Sequence, residues 1–232
     1  MTDFHEVVNT RRSIRSFLPD PVPEDVLDRC LDAALRAPSS SNLQPWRFIA
    51  LRSPGIRSKA GEVCLNQGPA TSAPLIVALI CLPDSWRRNR DEVVRILAKR
   101  GDLRKGLATY YQRLIPLVYL HGPWNVLGWW KPAATWIVSL FRPFPTLLTR
   151  AGVRVTAHKT TALAAATFML AARAEGFDTC PMEGFDARRA SHLLGLQRGE
   201  EVSMFIAVGK RAADGIRFDR ALLPRTWTVQ TL

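Results

Sequence analysis

The sequence has few cysteines, and they are scattered. Four of the 232 residues are cysteine, with no Cys-x-x-Cys pair and no histidine cluster near any of them: Cys30, Cys64, Cys81 and Cys180. Neither a disulfide framework nor a metal site is therefore expected. No apolar segment precedes Arg11, so no signal peptide is predicted and a reduced, cytoplasmic setting is the expectation. The length suits one sizeable core, and we predict a single domain over 1–232.

Acidic residues are missing from a long central stretch. Between Leu103 and Ala174 there is no Asp or Glu, whereas nine cations fall there, and the whole chain carries a net charge of +12. Such a balance raises the question of nucleic acid or anionic lipid as a partner. No helix-turn-helix, zinc finger or RNP-type motif accompanies the charge, so nucleic acid is not the expected partner.

Long hydrophobic runs are missing as well. The longest uncharged run of the central region, Leu114–Trp130, has 17 residues and contains two prolines and a histidine, so we do not predict a transmembrane span. Four of the seven tryptophans lie nearby, at 124, 129, 130 and 136. Prolines and cations without acidic neighbours surround these tryptophans. This composition suits a lid over a pocket or a dimer-wrapping arm, and we favour that interpretation. A peripheral membrane contact through 115–150 is the alternative.

Apolar periodicity predicts alternating helices and strands in the rest of the chain. Helices are predicted over 3–10, 21–36, 53–65, 91–105, 158–175 and 186–194. Strands are predicted over 47–52, 75–82 and 202–208, and the continuous apolar run of 75–82 indicates a central strand buried on both faces. We interpret residues 84–156 as a variable segment.

Two polar stretches are candidates for binding. The first, at 11–17, reads Arg-Arg-Ser-Ile-Arg-Ser-Phe, and its guanidinium forks suit phosphate oxygens, although a solvated basic face has the same composition. The second, at 37–48, reads Ala-Pro-Ser-Ser-Ser-Asn-Leu-Gln-Pro-Trp-Arg-Phe. Its short polar side chains can direct several hydrogen bonds at one spot, although an ordinary helix-to-strand loop uses the same residues.

These stretches, together with Cys-Pro-Met-Glu-Gly-Phe-Asp at 180–186 and Val-Gly-Lys-Arg at 208–211, occur in the order seen in nitroreductase-family flavoproteins. The resemblance covers about 1–82 and 157–211. It implies an α+β fold with a mixed, mainly antiparallel sheet flanked by helices. It also implies an intertwined homodimer with FMN at the dimer interface.

The resemblance further implies roles for individual residues. Contacts to the phosphate and ribityl chain would come from Arg11, Arg12, Ser13 and Arg15, with Lys210 and Arg211 approaching the same phosphate. The partner subunit would supply Ser39, Ser40 and Asn42, while Gln44 and Asn66 would face the polar edge of the flavin or its ribityl chain. Along the isoalloxazine ring would lie Pro181, Met182, Glu183 and Gly184, the last two with backbone N–H groups toward the N5/O4 edge.

The implied activity is that of an FMN-dependent NAD(P)H oxidoreductase. It would reduce small planar acceptors such as nitroaromatics or quinones by ping-pong hydride transfer, with no side chain as an obligatory acid or base. No Gly-x-Gly-x-x-Gly follows a predicted strand, so NADH or NADPH would stack on the flavin rather than occupy a Rossmann site. Two alternatives stay open: a flavin enzyme of the same fold with other chemistry, such as reductive dehalogenation or flavin fragmentation, and a basic protein that binds anionic partners through 103–174.

Overall fold

The computed structural model describes residues 3–121, 126–141, 143 and 149–231. Its strands are β1 (Trp46–Leu51), β2 (Leu75–Cys81), β3 (Asp178–Met182) and β4 (Glu201–Gly209). Its helices are α1 (Phe4–Thr10), α2 (Glu24–Leu35), α3 (Pro54–Val63), α4 (Gly68–Ser72), α5 (Trp86–Arg100), α6 (Lys105–Thr109), α7 (Ile115–Tyr119), α8 (Val126–Ser139), α9 (Arg150–Ala174), α10 (Ala187–Leu193) and α11 (Arg225–Thr228). A π-helical turn (Tyr110–Leu114) joins α6 to α7.

The four strands form one sheet in the order β1-β2-β4-β3, and each neighbouring pair is antiparallel. Every residue of β2 is buried, as the continuous apolar run predicts. A single parallel bridge adds Ser13 to the β3 edge, next to Thr179. The predicted α+β fold with a mainly antiparallel sheet is confirmed.

Helices cover both faces of the sheet, and β2 divides its side chains between them. Leu75, Val77 and Leu79 pack with residues of α2 and α9, whereas Ile76, Ala78 and Ile80 pack with residues of α3, α4 and α10. This two-residue alternation is that of a strand with an apolar layer on each side. The core therefore lies in two layers, one on each face of the sheet.

The structure corrects some of the predicted boundaries. Helix α9 begins at residue 150 rather than 158, because Oγ1 of Thr149 caps its first turn by accepting a hydrogen bond from the Gly152 N–H at 3.0 Å. Strand β3 was not predicted. It contains Pro181, which an edge strand tolerates because one side of it needs no ladder donor.

The variable segment 84–156 is largely helical in the part that the structure describes. Helices α5 to α7 pack around Leu43, which is 2% exposed, through Trp86, Val93, Tyr111 and Ile115. The predicted features at Pro123, Trp124, Arg142 and Pro145 lie outside the described residues. In the described ranges no helix has the length and apolarity to cross a bilayer.

Candidate functional site

The N-terminal basic stretch is held against the β3 edge by backbone hydrogen bonds. The Ile14 N–H donates to the Thr179 carbonyl at 3.0 Å, and the Arg15 N–H donates to the Gly215 carbonyl at 2.9 Å. Further along, the Leu18 N–H donates to the carbonyl of Lys210 at 2.9 Å. The fold thus brings together three stretches that are far apart in sequence, at 11–18, 178–182 and 209–215.

A cavity of about 290 Å³ lies between the first of these stretches and the segment 216–221, which follows the third. Its charged lining consists of five arginines and one carboxylate, namely Arg11, Arg12, Arg15, Arg217, Arg220 and Asp219. Ser13, which is exposed, lines the cavity as well. Guanidinium groups at this density are what a bound phosphate group requires.

Two of these arginines, Arg12 and Arg11, are in unfavourable surroundings in the protein without a ligand. Nη1 of Arg12 is buried and has no hydrogen-bond partner among the described residues. Burial, and after it the positive charges of Arg220 and Arg12, lower the pKa of Arg11. A buried donor without a partner and a cluster of like charges are both costly, and an anion in the cavity would relieve both. The residues present therefore fit the phosphate end of FMN.

Arg211, which lies outside the lining of this cavity, has its own partner. Its Nε and Nη2 donate to the two carboxylate oxygens of Asp178 at 2.7 and 2.6 Å. Nη1 of Arg173 lies 3.2 Å from the same carboxylate, whose side chain is 3% exposed. Asp178 raises the pKa of Arg211, as expected for a paired guanidinium. The Lys210 side chain is exposed at the end of β4.

A second chain of contacts leads from Arg15 to the end of β3. Gly68 approaches the Arg15 carbonyl so closely that an added Cβ would lie 2.9 Å from its oxygen. The next residue back, Gln67, donates from Nε2 to the Gly184 carbonyl at 2.7 Å and to the Cys64 carbonyl at 3.0 Å. Asn66, beside Gln67, is exposed and has a φ of 51°, in the left-handed region. The predicted residues Arg15, Asn66 and Gly184 thus belong to one contiguous region.

The remaining predicted residues at this edge follow the course of β3. Met182 is buried with its side chain in the core, and Pro181 is half-buried. Glu183 and Gly184 come directly after the strand and are exposed. Their backbone is therefore open to a ligand, whereas the Met182 side chain contributes packing.

The loop at 39–44 has an unusual backbone. Ser41, Asn42 and Gln44 have φ values of 55°, 53° and 46°, which side-chain-bearing residues seldom adopt. Within the loop, the Gln44 N–H donates to Oγ of Ser39 at 3.2 Å, and Nε2 of Gln44 donates to Oδ1 of Asn42 at 3.2 Å. Strain of this kind persists where the surroundings hold it, and it is common at ligand sites.

All three tyrosines of the chain support this loop. The hydroxyl of Tyr110 lies 2.7 Å from Oγ of Ser41, and the hydroxyl of Tyr111 donates to the Ser41 carbonyl at 3.1 Å. Tyr119 and Ser40 line one small pocket; burial raises the pKa of Tyr119, and the Ser40 side chain opposes that shift. The π-helical turn and α7 thus hold the loop in place.

An open groove of about 760 Å³ lies on the other side of the loop. Apolar side chains of Leu35, Leu43 and Trp46 line it, and Gln44 stands at its edge. Nδ2 of Asn89 fixes this edge by donating to the carbonyls of Leu43 at 2.8 Å and Gln44 at 3.2 Å. The volume falls in the range of small-molecule pockets.

The sheet order separates the two groups of predicted residues. The loop at 39–44 leads into β1, whereas Pro181–Gly184 ends β3, and these strands form opposite edges. Three inter-strand spacings put roughly 14 Å between the edges. The structure of one chain therefore brings Arg11, Arg12, Ser13, Arg15, Asn66 and 181–184 together and leaves Ser39, Ser40, Asn42 and Gln44 apart from them.

Sequence reasoning did not find several residues of this site. Arg217 and Arg220 enter the cavity through the Gly215 contact with Arg15, and no motif marks them. Gln67, by contrast, follows the predicted Asn66 directly and could have been considered with it. The tyrosines and Asn89 lie in the variable segment, where no motif marks them.

A family model and two curated proteins match most of the chain in sequence. The family model described as "Nitroreductase family" matches residues 8–210. A protein of Thermus thermophilus named NADH dehydrogenase is 28% identical over 215 residues, which cover 93% of this chain and 90% of that protein. YdgI of Bacillus subtilis, whose name includes NAD(P)H nitroreductase, is 27% identical over 216 residues, covering 92% and 90%.

Solved structures show the same fold. One from Exiguobacterium sibiricum, in complex with FMN, superposes with a TM-score of 0.76 at 21% identity and covers 100% of this chain and 98% of that one. The enone reductase CLA-ER superposes with a TM-score of 0.71 at 23% identity, covering 100% and 99%. The match of the family model to most of the chain, with this shared fold, confirms the resemblance: the chain belongs to the Nitroreductase family.

Proposed function

We propose that this protein is an FMN-dependent NAD(P)H oxidoreductase that reduces small planar acceptors such as nitroaromatics or quinones. The observation that carries the proposal is the buried, unpartnered Nη1 of Arg12 in a cavity lined by five arginines. Family membership, the FMN complex of a protein with this fold and the nitroreductase name of a relative support the same assignment.

Arg11, Arg12 and Arg15 hold the phosphate of FMN, with Ser13 beside them and Arg217 and Arg220 completing the cavity. The guanidinium of Arg211 is committed to Asp178. Its role in this proposal is therefore to fix the β3–β4 edge against which the arginine stretch is hydrogen-bonded, and it adds positive charge from there. Lys210, exposed at the same end of β4, contributes to the same positive potential.

The ring of FMN lies along Pro181–Gly184, where the exposed backbone N–H groups of Glu183 and Gly184 are its donors. Gln67 orients this strand end through its 2.7 Å hydrogen bond to the Gly184 carbonyl, and Asn66 beside it faces the ribityl chain. When bound, FMN supplies the redox chemistry, accepting a hydride from NADH or NADPH and passing it to the acceptor. The chain's own residues bind and orient; none of them is required to transfer a proton.

The second group of predicted residues acts across a homodimer. Ser39, Ser40, Asn42 and Gln44 lie at the sheet edge opposite to Gly184, and a second copy would bring them to the first copy's cofactor. The left-handed backbone of this loop and its three tyrosine contacts support a preformed binding surface. The cytoplasmic location inferred from the sequence stays a prediction.

An absorbance experiment tests the proposal directly. Purified protein should show a flavin spectrum, or acquire one with added FMN, and NADH or NADPH should bleach it; a nitroaromatic or a quinone should then restore it. An Arg12→Ala variant should lose FMN, whereas Arg198→Ala, an exposed arginine outside the site, should keep it. A colourless protein that FMN cannot reconstitute would contradict the proposal and favour a basic binding protein. A flavin that NAD(P)H reduces but neither acceptor reoxidises would favour other flavin chemistry.

A further inference from the structure

Helix α8 exposes apolar side chains to the outside of the molecule. Trp130 is 72% exposed and Trp136 is 66% exposed, and Ile137 is exposed as well. Leu140 and Phe141, in the turn that follows the helix, continue this surface, and Phe141 is 84% exposed. Trp130, Ile137 and Phe141 recur at the spacing of one helix face. We call these five residues the aromatic face.

Two polar residues of α8, Lys131 and Thr135, point the other way. Nζ of Lys131 donates to the carbonyls of Val118, at 3.2 Å, and Leu120, at the end of α7. Burial lowers the pKa of Lys131 accordingly. Thr135, one turn later on the same side, is 7% exposed. Among the described side chains of the helix, apolar ones are thus exposed while Lys131 and Thr135 are turned inward, and the Lys131 contacts hold the aromatic face outward.

Positive charge is concentrated in the part of the sequence that contains α8. The acid-free stretch from Leu103 to Ala174 supplies the exposed cations Arg104, Lys105, Arg113 and Lys159. No carboxylate within the described ranges lies at ion-pair distance from any of the four. Leu114 and Leu117, which follow Arg113 on the same helical segment, are each 50% exposed. Exposed cations and exposed leucines thus occur together from α6 to α7, and the Lys131 contacts join the end of α7 to α8.

The charge decides between the possible occupants of this surface. A symmetric contact with a second copy would bring the same patch against itself, and the acid-free stretches of both copies would repel each other. A lipid bilayer with anionic headgroups offers apolar depth for tryptophan and phenylalanine and negative charge for the cations around them. Helix α8 has 14 residues, which suits lying in the interface rather than crossing it.

We propose that the aromatic face of α8 docks this protein on an anionic membrane surface. Tryptophan, phenylalanine and leucine enter the headgroup region, and Arg104, Lys105 and Arg113 contact lipid phosphates. This inference is independent of the flavin chemistry, since it uses none of the residues assigned to FMN.

Co-sedimentation of the full-length protein with lipid vesicles tests the aromatic face. Vesicles of phosphatidylcholine alone are compared with an equimolar mixture of phosphatidylcholine and phosphatidylglycerol. The protein should bind the mixture, and raised salt should weaken that binding. Trp130→Ser/Trp136→Ser should reduce it by about tenfold or more, because two rings lose their apolar contact with lipid. Phe4→Ser/Trp227→Ser, which removes two equally exposed aromatics elsewhere, should bind like the unchanged protein.

A second pair of variants tests the charges. Arg104→Gln/Lys105→Gln/Arg113→Gln should weaken binding to the anionic mixture by about a hundredfold, at roughly a fivefold loss per cation. Arg188→Gln/Arg198→Gln/Arg225→Gln, the same change in net charge at exposed positions outside the segment, should weaken it much less. Circular dichroism confirms that each variant is folded. Absence of binding to either vesicle, equal binding by the tryptophan variant and its control, or a change only in self-association would each overturn the proposal.

Discussion

The hydroxyl of Tyr110 lies 2.7 Å from Oγ of Ser41, 69 positions away in the sequence. This contact joins the variable segment 84–156 to the loop at 39–44, for which we propose a role in cofactor binding. Tyr111 and Tyr119 reach the same loop, at Ser41 and Ser40. The segment therefore supports this loop, in addition to carrying the exposed helix α8.

Replacement of Tyr110 by phenylalanine should loosen the loop. It removes the hydrogen bond to Ser41, whose φ of 55° depends on its surroundings, at a cost of about 0.5–1.5 kcal/mol. If the loop contacts the partner's FMN, the cofactor should dissociate about two- to tenfold more readily. Fluorescence titration of the apoprotein with FMN measures this change.

A double-mutant cycle identifies the cause. Ser41→Ala should weaken FMN to a similar degree, and the two substitutions together should cost little more than either alone. Additive losses in the double variant would show that the Tyr110–Ser41 hydrogen bond is not responsible.

Strand β2 and helix α2 were predictable from sequence because their signals are local. The apolar run of β2 and the amphipathic pattern of α2 depend on neighbours only a few residues away, and both elements formed as predicted. The middle could not be derived in this way. Its helices are positioned by contacts such as that of Asn89 with Leu43, 46 positions apart, which leave no periodic pattern.

The candidate site likewise contains residues that local sequence predicted and residues that only long-range contacts bring in. The arginines at 11–15 lie in one short stretch, so the sequence alone predicted that they act at the same site. Arg217 and Arg220 join them only because the Arg15 N–H is bonded to Gly215, a long-range contact in an irregular segment. The pairing of Arg211 with Asp178 could likewise not be predicted, because nothing in the sequence shows that Asp178 is buried.

Removal of a cavity arginine should weaken FMN without unfolding the protein. A charge-assisted hydrogen bond contributes about 1.5–3 kcal/mol, so Arg15→Ala and Arg12→Ala should each reduce affinity by roughly ten- to a hundredfold. Arg198→Ala is the matched control. A thermal melt of the apoproteins checks the fold, and equilibrium dialysis measures the affinity. Retention of FMN by both variants through extensive dilution would refute the phosphate assignment.

Asp178 should contribute mainly to stability. Asp178→Asn keeps the shape of the side chain but leaves Arg211 and Arg173 without their buried counter-charge, which should cost about 3 kcal/mol of unfolding free energy. Asp25→Asn breaks the exposed pair with Arg29 and should change stability little. Urea unfolding of both variants makes the comparison. Equal midpoints would mean that the burial of Asp178 gives its ion pairs no special weight.

The contacts of Glu201 make stability depend on acid pH. Hydrogen bonding from Arg154, with a smaller contribution from His158, lowers the pKa of Glu201 below its ordinary value of 4.5. Because the folded pKa is depressed, the stabilisation is fully present above about pH 4.5 and is lost as pH falls through the folded pKa. Glu201→Gln should therefore be less stable than the unchanged protein near pH 7, and this difference should shrink near pH 3. Urea midpoints at the two pH values test this, and a constant difference would contradict it.

FMN binding and dimerisation should be coupled. In one chain the arginine cavity and Gly184 lie near the β3 edge, while Ser39, Ser40 and Asn42 lie beyond the β1 edge, roughly 14 Å away across the sheet. A complete set of contacts then needs two copies, and a ligand that binds only the associated form stabilises it by mass action. Analytical ultracentrifugation of the apoprotein should show a dimer that dissociates on dilution, and FMN should shift that dissociation to lower protein concentration. Ser40→Ala/Asn42→Ala should reduce the shift, because these two exposed side chains would no longer contact the partner's FMN. A monomer that holds FMN stoichiometrically would show that one chain completes the site and would remove the shared-site model.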